Sequence, residues 1–267
     1  WATYEKAKGE RQKAKGEAAG PDARDLTPEE LADPRCAITP RYWVERGEVE
    51  ARLAQRGWER GWLLGFRDIC RATDERTAIF SLLPRVAVNH KAPLLFVEHR
   101  MPAVGHALAI ACLNSITFDF LARQKVGGTS LAFFILKQLP VLSPTAFSAE
   151  DIAYIVPRVL ELVYTAWDIK PFAEDVWNEV TSQKEKGKSE EERAWAAGLL
   201  AELVRRSAEC NRDAPRDLFP PTPGVRADGS ADLSLLPSDF CLPPFRWDDE
   251  RRARIRAELD ARIARLY

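Results

Sequence analysis

The pattern of apolar and polar positions divides the chain into three parts. From residue 1 to about 35, charged residues alternate with Ala and Gly (EKAKGERQKAKGEAAGPDARD), and few large apolar side chains are present to bury. This predicts a solvated charged helix and then a linker, closed by Thr27-Pro28 and Asp33-Pro34. From 36 to about 145, short apolar runs rich in β-branched and aromatic residues (GWLLGFRDI, TAIFSLL, VAV, PLLFV) are punctuated by Pro, Gly, Asn and Asp. That is a strand-and-turn pattern. Near its end, HALAIACLNSITFDFLARQ has helical spacing through Leu108, Cys112, Ile116 and Phe120. Phe133, Phe134 and Ile135, a little further on, read as core.

From 146 to 267 the pattern is helical. Ser148 with Asp151 makes a capping-box pattern ahead of Ile152, Ile155, Val159 and Val163, and Ser189 with Glu192 repeats it ahead of Trp195, Leu199 and Leu203. A Pro-rich stretch from about 211 to 245 (APRDLFPPTPGVRADGS, then LPPF) predicts loop. The last helix opens on Asp248, Asp249 and Glu250, favourable beside a helix N-terminus, and places Ile255, Leu259, Ile263 and Leu266 on one face.

Composition narrows the class. With 267 residues the chain accommodates one large or two small domains. Hydrophobic residues at 46% and charged residues at 30% are ordinary for a soluble globular protein. The net charge of −1 advertises neither nucleic acid nor membrane, but it averages two unlike parts. Residues 36–145 carry 14 Lys+Arg against 9 Asp+Glu, and residues 146–267 carry 18 against 23. The positive charge is therefore concentrated in the middle of the chain. Five widely spaced Cys without a C-x-x-C suggest neither a disulfide framework nor a zinc site and fit a reducing, cytoplasmic compartment. No apolar run reaches the roughly 18 residues of a membrane helix. The chain starts WATYEKAKGERQK, which is not a secretory signal, begins without Met and stops at Tyr267 within a helical pattern. It reads as a piece of a longer protein.

Catalytic signatures are missing. His90, His99 and His106 are spaced nine and seven apart, which is no metal-ligand spacing, and they read as structural or surface residues. No G-x-S-x-G, H-E-x-x-H or G-x-x-x-x-G-K-[ST] occurs.

Two segments do carry recognition chemistry. In WLLGFRDICRATDERTAIFSLLPR (62–85), Arg67, Arg71, Arg76 and Arg85 lie on two expected strands and their connection, around a short polar loop containing Thr73. Arg offers a planar fork of donors suited to phosphate or to the acceptor edge of guanine, and Asp68 or Asp74 could orient an Arg or accept from a cytosine amine. The same charges also fit the solvated face of a hairpin with Asp–Arg pairs. In ARQKVGGTSLAFFILKQ (122–138), Arg123 and Lys125 precede Gly127, Gly128 and Thr129. A Gly pair lets backbone N–H groups approach a phosphate, to which hydroxyls add bonds. It also fits a helix C-terminus ending in a left-handed glycine.

Four pieces resemble the target-recognition region of fused restriction–modification adenine methyltransferases, including those of phage-exclusion systems: TPRYWV (39–44), GWLLGFRDICRATDERT (61–77), LNSITFDFLARQKVGGTSLAFFILKQLPVLSP (113–144) and PFRWDDERRARIRAELDARIARLY (244–267). The third piece is also similar to the specificity subunits of type I restriction systems. Together the pieces cover 79 of the 267 residues, a little under a third of the chain. The resemblance implies a module that reads bases in double-stranded DNA while a separate methyltransferase domain of the same polypeptide binds S-adenosylmethionine and methylates a flipped adenine. The Asn-Pro-Pro-Tyr and Gly-rich motifs of that catalytic domain do not occur here, so no cofactor is expected in this chain. Residues 171–240 match nothing in the resemblance.

The expected fold is α+β: a curved, mostly antiparallel sheet with a packed helix over 36–145, then a helical subdomain over 146–267 whose last helix packs back on the first part. The expected DNA-facing set is Arg67, Arg71, Thr73, Arg76, Arg123, Lys125, Gly127, Gly128 and Thr129, with Arg71 and Arg76 favoured as base readers and Lys125 as a phosphate contact. A protein-interaction scaffold in a defence complex is the alternative, drawing on the acidic helical part; an enzyme with an unrecognised site is a third reading. If the division of labour is right, calorimetric titration of the chain with S-adenosylmethionine gives no saturable heat, and a saturable isotherm would overturn it.

Overall fold

The computed structural model describes residues 26–38, 43–97, 101–187 and 189–267. The first 25 residues of the charged segment expected over 1 to about 35, part of the TPRYWV piece and His99 lie outside the described residues.

A continuous five-residue apolar run has no polar face to offer water and must be covered on both sides. WLLGF forms such a strand, β1 (Trp62–Phe66), with every residue buried. β2 (Phe80–Pro84) pairs antiparallel with it, Leu64 opposite Leu82, and β3 (Leu94–Leu95) pairs antiparallel on its other side. The sheet is thus three-stranded and antiparallel, in the order β2-β1-β3. The VAV run at 86–88 forms no strand.

Helices build the rest, and the fold is α+β. Before the sheet stand α1 (Pro28–Ala32), opened by a Thr27–Glu30 capping box, and α2 (Arg46–Gln55), inside the part read as strands and turns. After it come α3 (Ala103–Leu113), α4 (Ile116–Lys125), the single turn α5 (Phe133–Leu136), α6 (Ala149–Val163), α7 (Lys170–Lys186), α8 (Glu190–Cys210) and α9 (Asp249–Leu266). Ser148 and Asp151 form the expected capping box, Ser189 caps α8 and Asp248 caps α9. The Pro-rich stretch is loop apart from a short 3-10 turn at Leu233–Leu235 and the Val225–Ala231 bridge.

The expected single helical pattern from 106 to 124 is corrected. The chain breaks at Asn114-Ser115 and bends by 61° between α3 and α4. The cause is local polar chemistry. The Asn114 amide turns aside to bond the edge of β2, accepting from Phe80 N–H at 3.0 Å and donating to Phe80 C=O at 3.1 Å, and Ser115 caps a new helix through Phe118 N–H. The break rotates Ile116 and Phe120 out of the core, and both are exposed. No single helix among the described residues is long and apolar enough to cross a membrane; α3 and α4 qualify by composition only as a bent pair, and most of α3 is buried.

One buried cluster runs from Leu53 to Ile263 and includes residues on both sides of position 145. α7, in the stretch without resemblance, clamps the sheet. Asp175 accepts from Trp62 Nε1 at 2.9 Å and from Arg60, and Glu179 accepts from the N–H groups of Ala103 and Val104, capping α3 where Pro102 offers no side-chain cap. Gly61 is required here, since a Cβ would lie 2.7 Å from Pro171 at the start of α7. His106 is core, edge-on to Trp58 and Trp62, with its Nδ1 3.0 Å from Pro102 C=O; burial lowers its pKa. His90 is exposed.

The last helix packs on α3, α4 and α6 and buries Ile255, Leu259 and Ile263, as its apolar face requires. Leu259→Ala is expected to destabilise the chain by about 2–5 kcal/mol in denaturant titration; unchanged stability would mean that this face does not contribute to the core.

Candidate nucleic-acid interface

The two segments singled out above meet. Beyond Phe66, β1 leaves its sheet: Arg67 N–H still bonds Ile79 C=O at 2.9 Å, but the next residues pair with the segment after the Gly-Gly pair. Ile69 bridges Ser130 antiparallel, Cys70 N–H donates to Thr129 C=O at 3.2 Å, and Leu131 N–H donates to Asp68 C=O at 2.7 Å. The Ser130 hydroxyl donates to the Asp68 carboxylate, whose other oxygen lies 3.1 Å from Lys91 Nζ. Asp68 is therefore committed inside the protein. The connection between β1 and β2 spans 67–79, longer than the short polar loop expected.

A carboxylate that the sequence reading did not single out organises this connection. Asp119 on α4 is 3% exposed. One of its oxygens accepts from Thr77 N–H and Ala78 N–H, both at 2.8 Å, and the other from Arg123 Nε at 2.8 Å. Arg123, one turn along α4, continues outward to Ala72 C=O at 2.9 Å and Glu75 C=O at 2.6 Å. A buried carboxylate is tolerable only when charge-paired and hydrogen-bonded, and here both conditions hold. The i,i+4 spacing of Asp119 and Arg123 was visible in the sequence; the loop groups they grip were not.

The predicted cations divide into two kinds. Arg67 donates to Asp74 at 3.2 Å and to Arg76 C=O, the internal brace that the spacing allowed. Arg76 pairs with Asp260 of α9 at 3.1 Å, and the other Asp260 oxygen accepts from Ile116 N–H at 2.7 Å, so one carboxylate ties the loop, α4 and the last helix together. Arg85 grips Glu50 and the carbonyls of Trp58 and Arg60, away from this loop. The side chains of Arg67, Arg76 and Arg123 are only 23%, 30% and 27% exposed. Those of Arg71 and Lys125 are exposed, with no partner among the described residues. Thr73, Gly127, Gly128 and Thr129 are also exposed.

Two local expectations are corrected. Gly127 and Gly128 are not left-handed, since the positive-φ glycines among the described residues are Gly57, Gly224 and Gly229; α4 instead ends on an extended Val126. Phe133 and Phe134 are not core: they are 42% and 68% exposed, with Ile135 partly buried. Cys70, beside Arg71, is 1% exposed and burial pushes its thiol up to about 11, so it packs as an apolar group and is protonated at neutral pH.

Asp119→Ala would leave two loop N–H groups and Arg123 without their acceptor. It is expected to cost about 3–5 kcal/mol in denaturant unfolding and to speed amide exchange at Thr77 and Ala78; parental stability and exchange would show that the carboxylate does not hold the loop. Compared with protein-family models, curated proteins and solved structures, the chain matches none.

Proposed function

We propose that this chain is the DNA-sequence recognition module of an adenine-specific DNA methyltransferase of a restriction or phage-defence system, with a target-recognition-like fold in its sheet-bearing part. The observation that carries this reading is the pairing of Ile69 with Ser130, which joins the two segments of recognition chemistry into one region bearing exposed Arg71, Thr73, Lys125, Gly127, Gly128 and Thr129. A rigid platform with free donors at its rim suits a duplex, because phosphates fix register and a few side chains reach base edges. Here the platform is the Asp119–Arg123 and Arg67–Asp74 framework. In this reading S-adenosylmethionine binds the methyltransferase domain elsewhere in a cytoplasmic parent protein, and this chain supplies none of the methyl-transfer chemistry.

The division of the cations refines which residues face DNA. Arg71 is assigned as a base reader and Lys125 as a phosphate contact, while Arg67, Arg76 and Arg123 shape the loop from beneath. Binding of duplex DNA across a salt series separates these roles. Lys125→Ala is expected to weaken all duplexes alike and to lower the slope of log K against log salt by about one. Arg71→Ala is expected to cost about 1–3 kcal/mol and to relax preference at one position. Arg76→Ala and Arg123→Ala are expected to lower the melting temperature. If Arg71→Ala and Lys125→Ala both keep parental affinity and salt slope, this surface does not read DNA, and the protein-scaffold reading takes its place.

A further inference from the structure

The most exposed aromatic ring near this region is Phe134, at 68%. Phenylalanine is ordinarily an interior residue, so a ring left this far in water calls for a partner. Its backbone is held firmly. Phe133 packs edge-on against Phe66 at 5.2 Å, Ile135 and Leu136 N–H groups bond Ala132 C=O, and Gln138 Nε2 bonds Phe134 C=O at 2.9 Å. Leu131 before the turn and Leu139 after it are buried. A side chain presented on such a support is preorganised for insertion.

The surroundings indicate what it meets. Ser130, three residues before the α5 turn, bridges Ile69, itself 38% exposed and two residues from Arg71. Between Asp119 and Glu150 the chain contains no acidic residue, and of its three cations Arg123 is taken up by Asp119 while Lys125 and Lys137 are exposed. In the facing loop Asp68 and Asp74 are paired with Lys91 and Arg67, leaving Glu75 as its exposed carboxylate. An apolar ring in a stretch of chain that carries cations, hydroxyls and a Gly-Gly pair but no acidic residue matches a polyanion with stacked bases better than a protein surface, which presents charges of both signs.

We propose that Phe134 is a wedge that enters a base step of the duplex held by Arg71 and Lys125. The inference rests on the DNA-recognition reading above and names the contact that reading lacks. Apolar wedges partly unstack a step and bend the duplex, most cheaply at pyrimidine–purine steps, so Phe134 would add a preference for deformable sequence to whatever the polar side chains read.

The test uses the 267-residue chain and a panel of short duplexes, each about one turn long, with 2-aminopurine in a T·A step. Unstacking of that base appears as a rise in fluorescence. The parent chain is expected to raise the signal on binding. Phe134→Ala is expected to abolish the rise, weaken binding about 5- to 150-fold, and leave the salt slope and melting temperature unchanged. Phe134→Leu, which keeps apolar bulk, is expected to fall between the two. A parent chain that binds DNA with Phe134→Ala indistinguishable from it in affinity and fluorescence overturns the wedge and leaves the recognition reading intact; the ring then serves a protein contact. A parent chain that binds none of the duplexes at low salt overturns both. A clearly lowered melting temperature for Phe134→Ala would mark the ring as a packing residue and also overturn the proposal.

Discussion

The candidate surface depends on one buried carboxylate. Asp119 is nearly sealed from water, and removing a charge from water is costly unless donors replace the lost hydration. Its donors are two N–H groups at the far end of the 67–79 connection and a guanidinium on its own helix. Satisfying the carboxylate therefore fixes where the loop sits against α4, and Arg123 extends that grip to two further carbonyls. A loop of this length on two strands alone would have many conformations. Anchored at Thr77 and Ala78 and again at Ala72 and Glu75, it holds Arg71 and Thr73 at the rim.

The same economy of polar groups explains why distant parts of the chain belong to one structure. Asp260, near the C-terminus, accepts from Arg76 in the loop and from Ile116 N–H at the start of α4. Glu179, on α7, caps α3 and meets Arg60 just before β1. Each is a carboxylate from the helical part meeting an unpaired helix N-terminus and an arginine in the sheet-bearing part, a geometry in which Coulomb attraction and orphan N–H groups act together. The net negative charge of 146–267 is in this sense partly complementary to the positive charge of 36–145 within the molecule itself, so the local charge surplus overstates what is available to a partner.

That complementarity sorts the arginines. A residue count treats Arg67, Arg71, Arg76 and Arg123 alike, whereas the structure distributes them between internal acceptors and solvent. Arg67, Arg76 and Arg123 sit where carbonyls and carboxylates converge, and the fork geometry that suits guanidinium to phosphate suits it equally to bracing a loop. Arg71 and Lys125 lie outside those clusters. Base-reading and loop-bracing arginines differ only in which acceptors surround them, and that is not a property of spacing.

By itself the sequence determined the element types wherever a local rule was strong. The apolar WLLGF run specified a strand, Ser148–Asp151 and Asp248 specified helix starts, and the Ile255, Leu259 and Ile263 stripe specified a packed last helix, because burial and capping act within a few residues. It also marked the two Arg-, Lys- and Gly-bearing segments that the Ile69–Ser130 pairing brings together. Tertiary structure alone decided that α3 and α4 separate at Asn114, that Phe133 and Phe134 face water, that Asp119 and Asp260 are the organising carboxylates, and which cations remain free. Distance along the chain is the main reason. The break at Asn114, the roles of Asp119 and Asp260 and the pairing of Arg76 depend on partners 34 to 184 residues away, and hydrogen bonds over such separations leave no periodic trace in the sequence.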